Sequence, residues 1–323
     1  MARLSKSQLN KLIRFAKPAA QADHDFVRNL RVQLQDRASQ LPRSTQTNQH
    51  SWKQRWQVLT SVFAVGAVAV MAVVFIVPKW LNPTSPLNGY IQKGPFISGT
   101  TITIQELNDQ LQPTGTNYQV TTSSDFGDYR LGNGITSRYV EVIAQGYYFN
   151  EVSGELSAAP LTLRAIADVT ETKVVNVNVL TTLLAPRLRH IVVSDELSFD
   201  LAKQIAEQEV LSIFRVTGNP ETDFEQMTIS ADGTSNGILL AASVLLQGDQ
   251  SVAELSELLS KLSLAIKTDG VLGTDGPLVN TLEHNAGLLN TDQITRNLKE
   301  RFAQLDVEAS VPDFEPFLRA FVE

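Results

Sequence analysis

The sequence predicts a multidomain protein of mixed α and β class, with short cytoplasmic helices, one transmembrane helix, an antiparallel β-sandwich and an all-α C-terminal domain. Three patterns lead to this prediction: a long run without charge, then short runs with a period of two residues, then runs with a period of 3.6. The chain has 323 residues, enough for two or more domains. We therefore divide it into residues 1–55, 56–80, 81–87, 88–168 and 169–323.

Residues 1–55 form a basic segment in which two short amphipathic helices are predicted. Apolar side chains recur at helical spacing in residues 4–16, and again in residues 26–34 after a potential capping residue, Asp23. Eleven Lys and Arg stand against three Asp and Glu, a net charge of +8. Three roles stay open for the segment: contact with anionic lipid, docking of a cytoplasmic protein partner, or a solvated tail that maintains orientation.

Residues 11–34, KLIRFAKPAAQADHDFVRNLRVQL, resemble the short cytoplasmic head of bacterial single-pass regulators of the anti-sigma type. The resemblance covers less than a tenth of the chain. It implies the alternative function that we consider, a transmembrane signalling regulator that relays an external signal to a cytoplasmic partner.

Residues 58–77, VLTSVFAVGAVAVMAVVFIV, are the predicted transmembrane helix. Twenty uncharged residues, at about 1.5 Å each, span the roughly 30 Å hydrocarbon layer, and twelve of them are Val, Leu, Ile or Phe. A buried core helix is the competing interpretation, and a cleaved signal peptide fits less well because the run begins so far into the chain. Side chains typical of membrane interfaces flank the run and are the predicted anchors: Trp56, Trp80, Lys53, Arg55 and Lys79.

The charge differs on the two sides of this run, which predicts the orientation. Residues 80–323 carry fifteen Lys and Arg against thirty-one Asp and Glu, a net charge of −16. Because positive residues stay on the cytoplasmic side, we expect the N-terminus inside and the C-terminal domains extracytoplasmic. The negative charge outside would repel nucleic acid, so the expected partners are the lipid bilayer and an envelope polysaccharide or protein.

A stalk at residues 81–87 and a β-rich region at 88–168 are expected next. The prolines of NPTSPLNG prevent a continued helix. Short strands with alternating or β-branched residues are predicted at 101–105, 118–122, 128–131, 139–144 and 161–166. Residues that favour turns separate them at 113–115, 125–127, 132–134 and 152–154. Strands at this spacing indicate a small antiparallel sandwich.

The segments GYIQKGPFISGTTITIQ, SSDFGDYRL and YVEVIAQGYYF resemble the carboxypeptidase-regulatory-like (transthyretin-like) β-sandwich. The resemblance covers residues 88–167, about a quarter of the chain. This chain departs from the family pattern where Phe126-Gly127 follows Asp125, and where Tyr90 replaces a common Val. The resemblance implies a domain that is not an enzyme and that stiffens, spaces or binds at a cell surface.

Helices are predicted over much of residues 178–321, because the apolar period returns to 3.6. One begins near Asn178 and contains Pro186, and the next has Ser198 or Asp200 as its cap. The order of these segments is similar to an uncharacterised class of bacterial envelope proteins, many of them lipoproteins, in which a helical module follows a regulatory-like sandwich. That similarity implies a bacterial cytoplasmic-membrane location. Further helices are predicted at 236–247, 252–267, 278–289, 291–305 and 314–321.

The sequence contains little that indicates catalysis or a cofactor. There is no cysteine, the four histidines are scattered, and the common hydrolase and nucleotide-binding motifs do not occur. A calcium site is conceivable at Asp125 and Asp128, or at the loop of residues 269–276. At both positions a turn is the stronger interpretation. A sugar platform at residues 147–149 competes with a core role for Tyr147 and Phe149.

The sequence therefore predicts a non-catalytic, single-pass membrane-anchored envelope protein. A β-sandwich and a helical domain outside the membrane would bind a ligand or partner. A pair of glycosidase carboxylates stays open, because the separation of such a pair depends on the fold.

Overall fold

The computed structural model describes residues 86–132, 134–273 and 276–323. Within them the chain forms nine strands and seven α-helices, with a 3₁₀ turn at Phe224–Gln226. The strands are β1 (Leu87–Gln92), β2 (Thr101–Leu107), β3 (Pro113–Thr121), β4 (Asp128–Leu131), β5 (Tyr139–Gly146), β6 (Phe149–Asn150), β7 (Glu155–Leu156), β8 (Leu161–Asp168) and β9 (Val177–Asn178). The helices are α1 (Val179–Ser194), α2 (Phe199–Ile213), α3 (Thr234–Gln247), α4 (Val252–Ile266), α5 (Pro277–Leu288), α6 (Thr291–Gln304) and α7 (Glu315–Val322).

The strands form two main sheets and a small hairpin. One sheet has the order β3-β2-β5-β8 and is antiparallel throughout. The other has the order β4-β1-β9, in which β4 pairs antiparallel and β9 pairs parallel with β1. Alternation decides which faces are buried: Ile102 and Ile104 of β2 are inaccessible to solvent and lie opposite Ala144 and Val142 of β5.

The strands predicted at 101–105, 118–122, 128–131, 139–144 and 161–166 are confirmed within a mixed α and β structure with antiparallel sheets. The turn predicted at 113–115 is wrong, because β3 already begins at Pro113. The chain reverses earlier, where Leu111 has a φ of 54°. There the Asn108 side chain accepts hydrogen bonds from the backbone N–H groups of Gln110 and Gln112.

The helices lie where the period predicts them, and side-chain caps explain the first residues of α1, α4 and α6. Asn178 and Thr181 exchange side-chain hydrogen bonds with each other's backbone N–H groups, which forms a capping box at the start of α1. Pro186 lies inside α1, as predicted. Helix α2 follows Ser198, one of its two predicted caps, but Ser198 makes no side-chain capping hydrogen bond. The Asn290 side chain caps α6 by accepting the Gln293 N–H.

The β and α parts share a core and belong to one compact unit. The Thr182 hydroxyl of α1 accepts a hydrogen bond from the Arg164 N–H of β8 and lies 3.3 Å from the Arg164 carbonyl oxygen. Arg187 of α1 is fully buried and forms a two-point ion pair with Glu209 of α2, at 2.6 and 2.7 Å. The same guanidinium donates to the Thr268 carbonyl beyond α4, so three helices meet at one side chain.

The predicted cytoplasmic helices, the transmembrane helix at 58–77 and its five anchors lie outside the described residues. Among the helices of residues 86–323 that the structure describes, none is both long and apolar enough to cross a membrane.

Candidate functional site

An acidic cavity of about 330 Å³ lies where the end of β8, helix α2 and the 3₁₀ turn meet. This volume is at the lower end of the range for pockets that hold small molecules. Among the described residues that line it, six are carboxylates and one is a lysine. We call this group the acidic cavity: Asp168, Glu171, Thr172, Phe199, Asp200, Lys203, Gln204, Glu207, Asp223, Glu225 and Gln226.

Helix α2 contributes one face to the cavity. Asp200, Lys203 and Glu207 stand three and four residues apart, so their side chains project from the same side of the helix. Lys203 and Glu207 are buried, whereas the apolar residues Leu201 and Ile205 of the same helix are only half-buried. The buried face of α2 therefore carries two charged residues beside Ala206 and Val210.

The 3₁₀ turn supplies the opposite wall and is held by two asparagines of the segment VNVNV. The valines of residues 175–179 are buried in the core. The Asn176 amide donates to the Met227 carbonyl and the Asn178 amide to the Phe224 carbonyl, at 3.0 and 2.8 Å. These bonds fix the backbone on both sides of Glu225, which directs its carboxylate toward α2.

Lys203 joins the two walls through ion pairs. Its Nζ lies 2.7 Å from Asp223 Oδ2 and also contacts Glu225 Oε1. Burial alone would lower the pKa of Lys203, but the nearby carboxylates of Glu225 and Glu207 outweigh it, so the net direction is upward. Lys203 therefore stays charged, and its proton is not available for acid or base chemistry near neutral pH.

Two carboxyl groups of the acidic cavity hold protons unusually strongly. Burial raises the pKa of Glu207 to about 8, against the attraction of Lys203 and with the repulsion of Glu225 and Asp223. Burial also raises the pKa of Glu225, where Lys203 opposes it. Glu207 Oε1 accepts the Phe224 N–H at 3.2 Å, whereas Glu225 Oε2 is buried without a hydrogen-bond partner among the described residues.

Asp168 forms the rim of the cavity at the end of β8 and behaves in the opposite way. Burial opposes its charge, but hydrogen bonds from Thr170 and Arg138 lower its pKa below the ordinary value. Arg138 Nε lies 2.6 Å from Asp168 Oδ2. The rim carboxylate is thus ionised and paired, while Glu171 and Asp200 beside it are exposed.

A second group of charged residues, which we call the enclosed pair, lies in the core away from this cavity. Lys93 Nζ and Glu151 Oε1 are 2.7 Å apart, and both side chains are inaccessible to solvent. The Ser243 hydroxyl of α3 donates to the same carboxylate oxygen at 2.7 Å, and the Lys93 ammonium lies 5.4 Å from the Tyr148 ring centre. The enclosed pair therefore joins the β part to α3, where no ligand has access.

The aromatic residues at 147–149 do not form an exposed platform. Tyr148 is fully buried and donates to Gln247, and Phe149 is 6% exposed, as the core interpretation requires. Tyr147 is 44% exposed, so the expectation that it shares the core with Phe149 is wrong. The strand ends at Gly146, and the period-two alternation does not continue across the break before β6.

At the first of the two suggested calcium positions, Asp125 and Asp128 bond to the chain itself. Asp125 accepts the Ser98 N–H and contacts Arg301 at 3.3 Å, while Asp128 bonds to the Ser124 hydroxyl. In residues 269–276, positions 274 and 275 lie outside the described residues. No group of three or more His, Cys, Asp or Glu in the described part of the chain is placed to hold a metal ion.

The chemistry of the acidic cavity is that of binding to a positive charge. Its carboxylates outnumber its cations, and an apolar wall at Phe199 lies among them. No local sequence pattern marks this group, because its members come from three separate stretches of chain, residues 168–172, 199–207 and 223–226. Comparison of the chain with protein-family models, with curated proteins and with solved structures gave no match.

Proposed function

We propose that this protein is a non-catalytic, single-pass membrane-anchored envelope protein whose residues 86–323 bind a ligand or partner outside the membrane. The observation that carries the binding role is the acidic cavity, a preformed concave site with convergent polar groups. The uncharged run at 58–77 and the change of charge across it support the anchor and the orientation.

The hydrogen bonding of the cavity supports binding over catalysis. Glu207 accepts a backbone N–H, Asp168 is paired with Arg138, and Lys203 is occupied by Asp223 and Glu225. A general base or nucleophile must reach a substrate proton or reacting atom, yet these groups are engaged with the chain itself. We also propose that the strands of 88–168 make up a sandwich of the regulatory-like class, the finer form of the observed antiparallel sheets.

Alkaline phosphatase fused to the C-terminus tests the location. We expect an active enzyme in intact bacteria, because phosphatase folds only outside the cytoplasm, and we expect the fusion in the membrane fraction. A second fusion that ends at residue 55, before the uncharged run, is the matched control and should be inactive. An inactive C-terminal fusion that is nevertheless produced at full length would overturn the orientation.

The signalling alternative is favoured by the net charge of +8 on residues 1–55. A pull-down with residues 1–55 separates the two functions. A regulator should retain a specific cytoplasmic protein such as a sigma factor, and a scrambled peptide of the same composition should not. If residues 1–55 only anchor the protein, neither the native segment nor the scrambled peptide should retain a specific cytoplasmic protein.

A further inference from the structure

We propose that the acidic cavity binds a small ligand that carries a primary alkylammonium group, whose positive charge pairs with the carboxylates that Lys203 leaves uncompensated. The inference deepens the proposed binding role and rests on it, but it does not depend on the membrane anchor. The fusion experiment tests location and the experiment below tests the cavity, so either can fail alone.

The first reason is the balance of charge around the cavity. Lys203 serves Asp223 and Glu225 at once, and Arg138 serves Asp168. Glu171 and Asp200 then face the cavity with no Lys or Arg within ion-pair distance among the described residues, and Glu207 adds a third carboxyl group that ionises when a cation binds. Like charges gathered in one concave site create a field that concentrates cations.

The second reason is a buried carboxylate oxygen that receives no hydrogen bond from the described part of the chain. Glu225 is 3% exposed, and its Oε2 has no hydrogen-bond partner among residues that the structure describes. An unsatisfied buried carboxylate oxygen costs free energy, and a donor from a ligand would satisfy it. An ammonium group offers three such donors.

The shape of the site favours an organic cation over a metal ion. The described residues contain no group of three or more His, Cys, Asp or Glu placed to hold a metal. The carboxylates are instead spread over a volume of about 330 Å³. Phe199 supplies an apolar wall and is itself fixed by stacking on Tyr139, with ring centres 4.7 Å apart. An alkyl chain with a charged end matches an apolar wall among carboxylates.

The raised pKa of Glu207 leads to a second prediction, which concerns how the affinity for the cation depends on pH. The pKa of Glu207 is raised to about 8 by burial, and the charged groups that face it are Lys203 on its own helix and Asp223 and Glu225 on the 3₁₀ turn. A bound cation would lower that pKa and release a proton near neutral pH. Affinity should therefore rise from pH 6 to pH 9.

Calorimetric titration of the full chain in uncharged detergent tests the proposal, with 1,5-diaminopentane as the probe and pentane-1,5-diol as its uncharged match. We expect saturable heat from the diamine and none from the diol. Two buffers of different ionisation heat should give different apparent enthalpies at pH 7, which reports the released proton. If the diamine does not bind at concentrations up to about 10 mM, which corresponds to a binding free energy of about −3 kcal/mol, the proposal is overturned.

A pair of double variants distinguishes the cavity from the general acidity of the protein. Asp200→Asn with Glu171→Gln removes two exposed cavity charges, and we expect about tenfold weaker diamine binding. Asp292→Asn with Glu300→Gln is matched, because Asp292 also lies in the first turn of a helix and neither residue lines the cavity. Equal weakening by both variants, or equal competition by Mg²⁺ and the diamine, would refute an ammonium site.

Discussion

Lys93 and Lys203 both form ion pairs with glutamates, yet their surroundings give them opposite properties. Lys93 and Glu151 are fully enclosed, and desolvation lowers the pKa of Lys93 in spite of the attraction of Glu151. Lys203 is also largely buried, but the carboxylates of Glu225 and Glu207 raise its pKa overall. The difference lies in how many negative charges surround each ammonium group, and not in the ion pair itself.

The comparison separates a structural contact from a binding site. The enclosed pair has one ammonium group and one carboxylate, a hydroxyl from Ser243 and an aromatic ring around it. Both of its charged side chains are inaccessible to solvent. The acidic cavity contains one ammonium group and six carboxylates beside open volume, so a second cation has both space and partners among its described lining residues.

The largest effect is expected when the enclosed pair loses one member. Glu151→Leu leaves the Lys93 ammonium buried without a countercharge, and we expect a loss of about 3–5 kcal/mol in the free energy of unfolding. Urea denaturation of the full chain measures it. The double variant Lys93→Met with Glu151→Leu removes both charges and should recover most of that loss. A double variant as unstable as the single one would contradict this explanation.

A smaller loss is expected when the cavity loses its lysine. Lys203→Met leaves Glu225 buried without its ion-pair partner, but Asp223 is about half exposed and becomes hydrated. We expect a loss of about 1–3 kcal/mol in the same denaturation experiment. Addition of Glu225→Gln to this variant should restore part of the stability. A loss as large as that of Glu151→Leu would remove the distinction between the two regions.

The pH dependence of stability should carry the signature of Glu207. Its folded-state pKa, about 8, lies above the ordinary value of 4.5, so between these values the folded state holds a proton that the unfolded state has lost. Stability is therefore lost as the pH rises through this window, by at most about 1.4 kcal/mol per pH unit. Glu207→Gln stays neutral, and its stability relative to the wild type should increase from pH 5 to pH 8. A constant difference across that range would contradict the raised pKa.

The smallest change in the free energy of unfolding is expected for an exposed ion pair. Glu257 and Lys261 stand four residues apart on α4, with side chains 62% and 59% exposed. Glu257→Gln should change the free energy of unfolding by less than about 0.5 kcal/mol, and less still at high salt. A larger effect would mean that exposure is a poor guide to the strength of ion pairs in this protein.

Most of the described secondary structure could be predicted from the sequence, because alternation and helical spacing are local properties. Every predicted helix after residue 177 appears, and the observed first residues differ by at most two positions. Three two-residue strands, β6, β7 and β9, were not predicted. Strand β9 consists of Val177 and Asn178 only, and its pairing with β1 depends on residues nearly ninety positions away.

The acidic cavity could be predicted only in part. Phe199, Lys203 and Glu207 stand at i, i+4 and i+8, and with Ala206 and Val210 they form a second stripe on α2 that includes two charges. Hydrophobicity alone favours the other stripe, with Leu201 and Ile205. What places Lys203 inside is the pair of carboxylates on the 3₁₀ turn, and no local pattern shows that this turn lies against α2.

The place of β1 in its sheet determines how this part of the chain would resist force. β1 is the first strand of the described residues, and it lies between β4 and β9. A pull at residue 86 along β1 would therefore load two ladders of hydrogen bonds in shear, instead of peeling one bond at a time. A domain pulled from this end should therefore resist extension until it unfolds, and the rate of that unfolding is determined by its unfolding barrier. If the N-terminal run is an anchor, the load enters the fold through its middle strand.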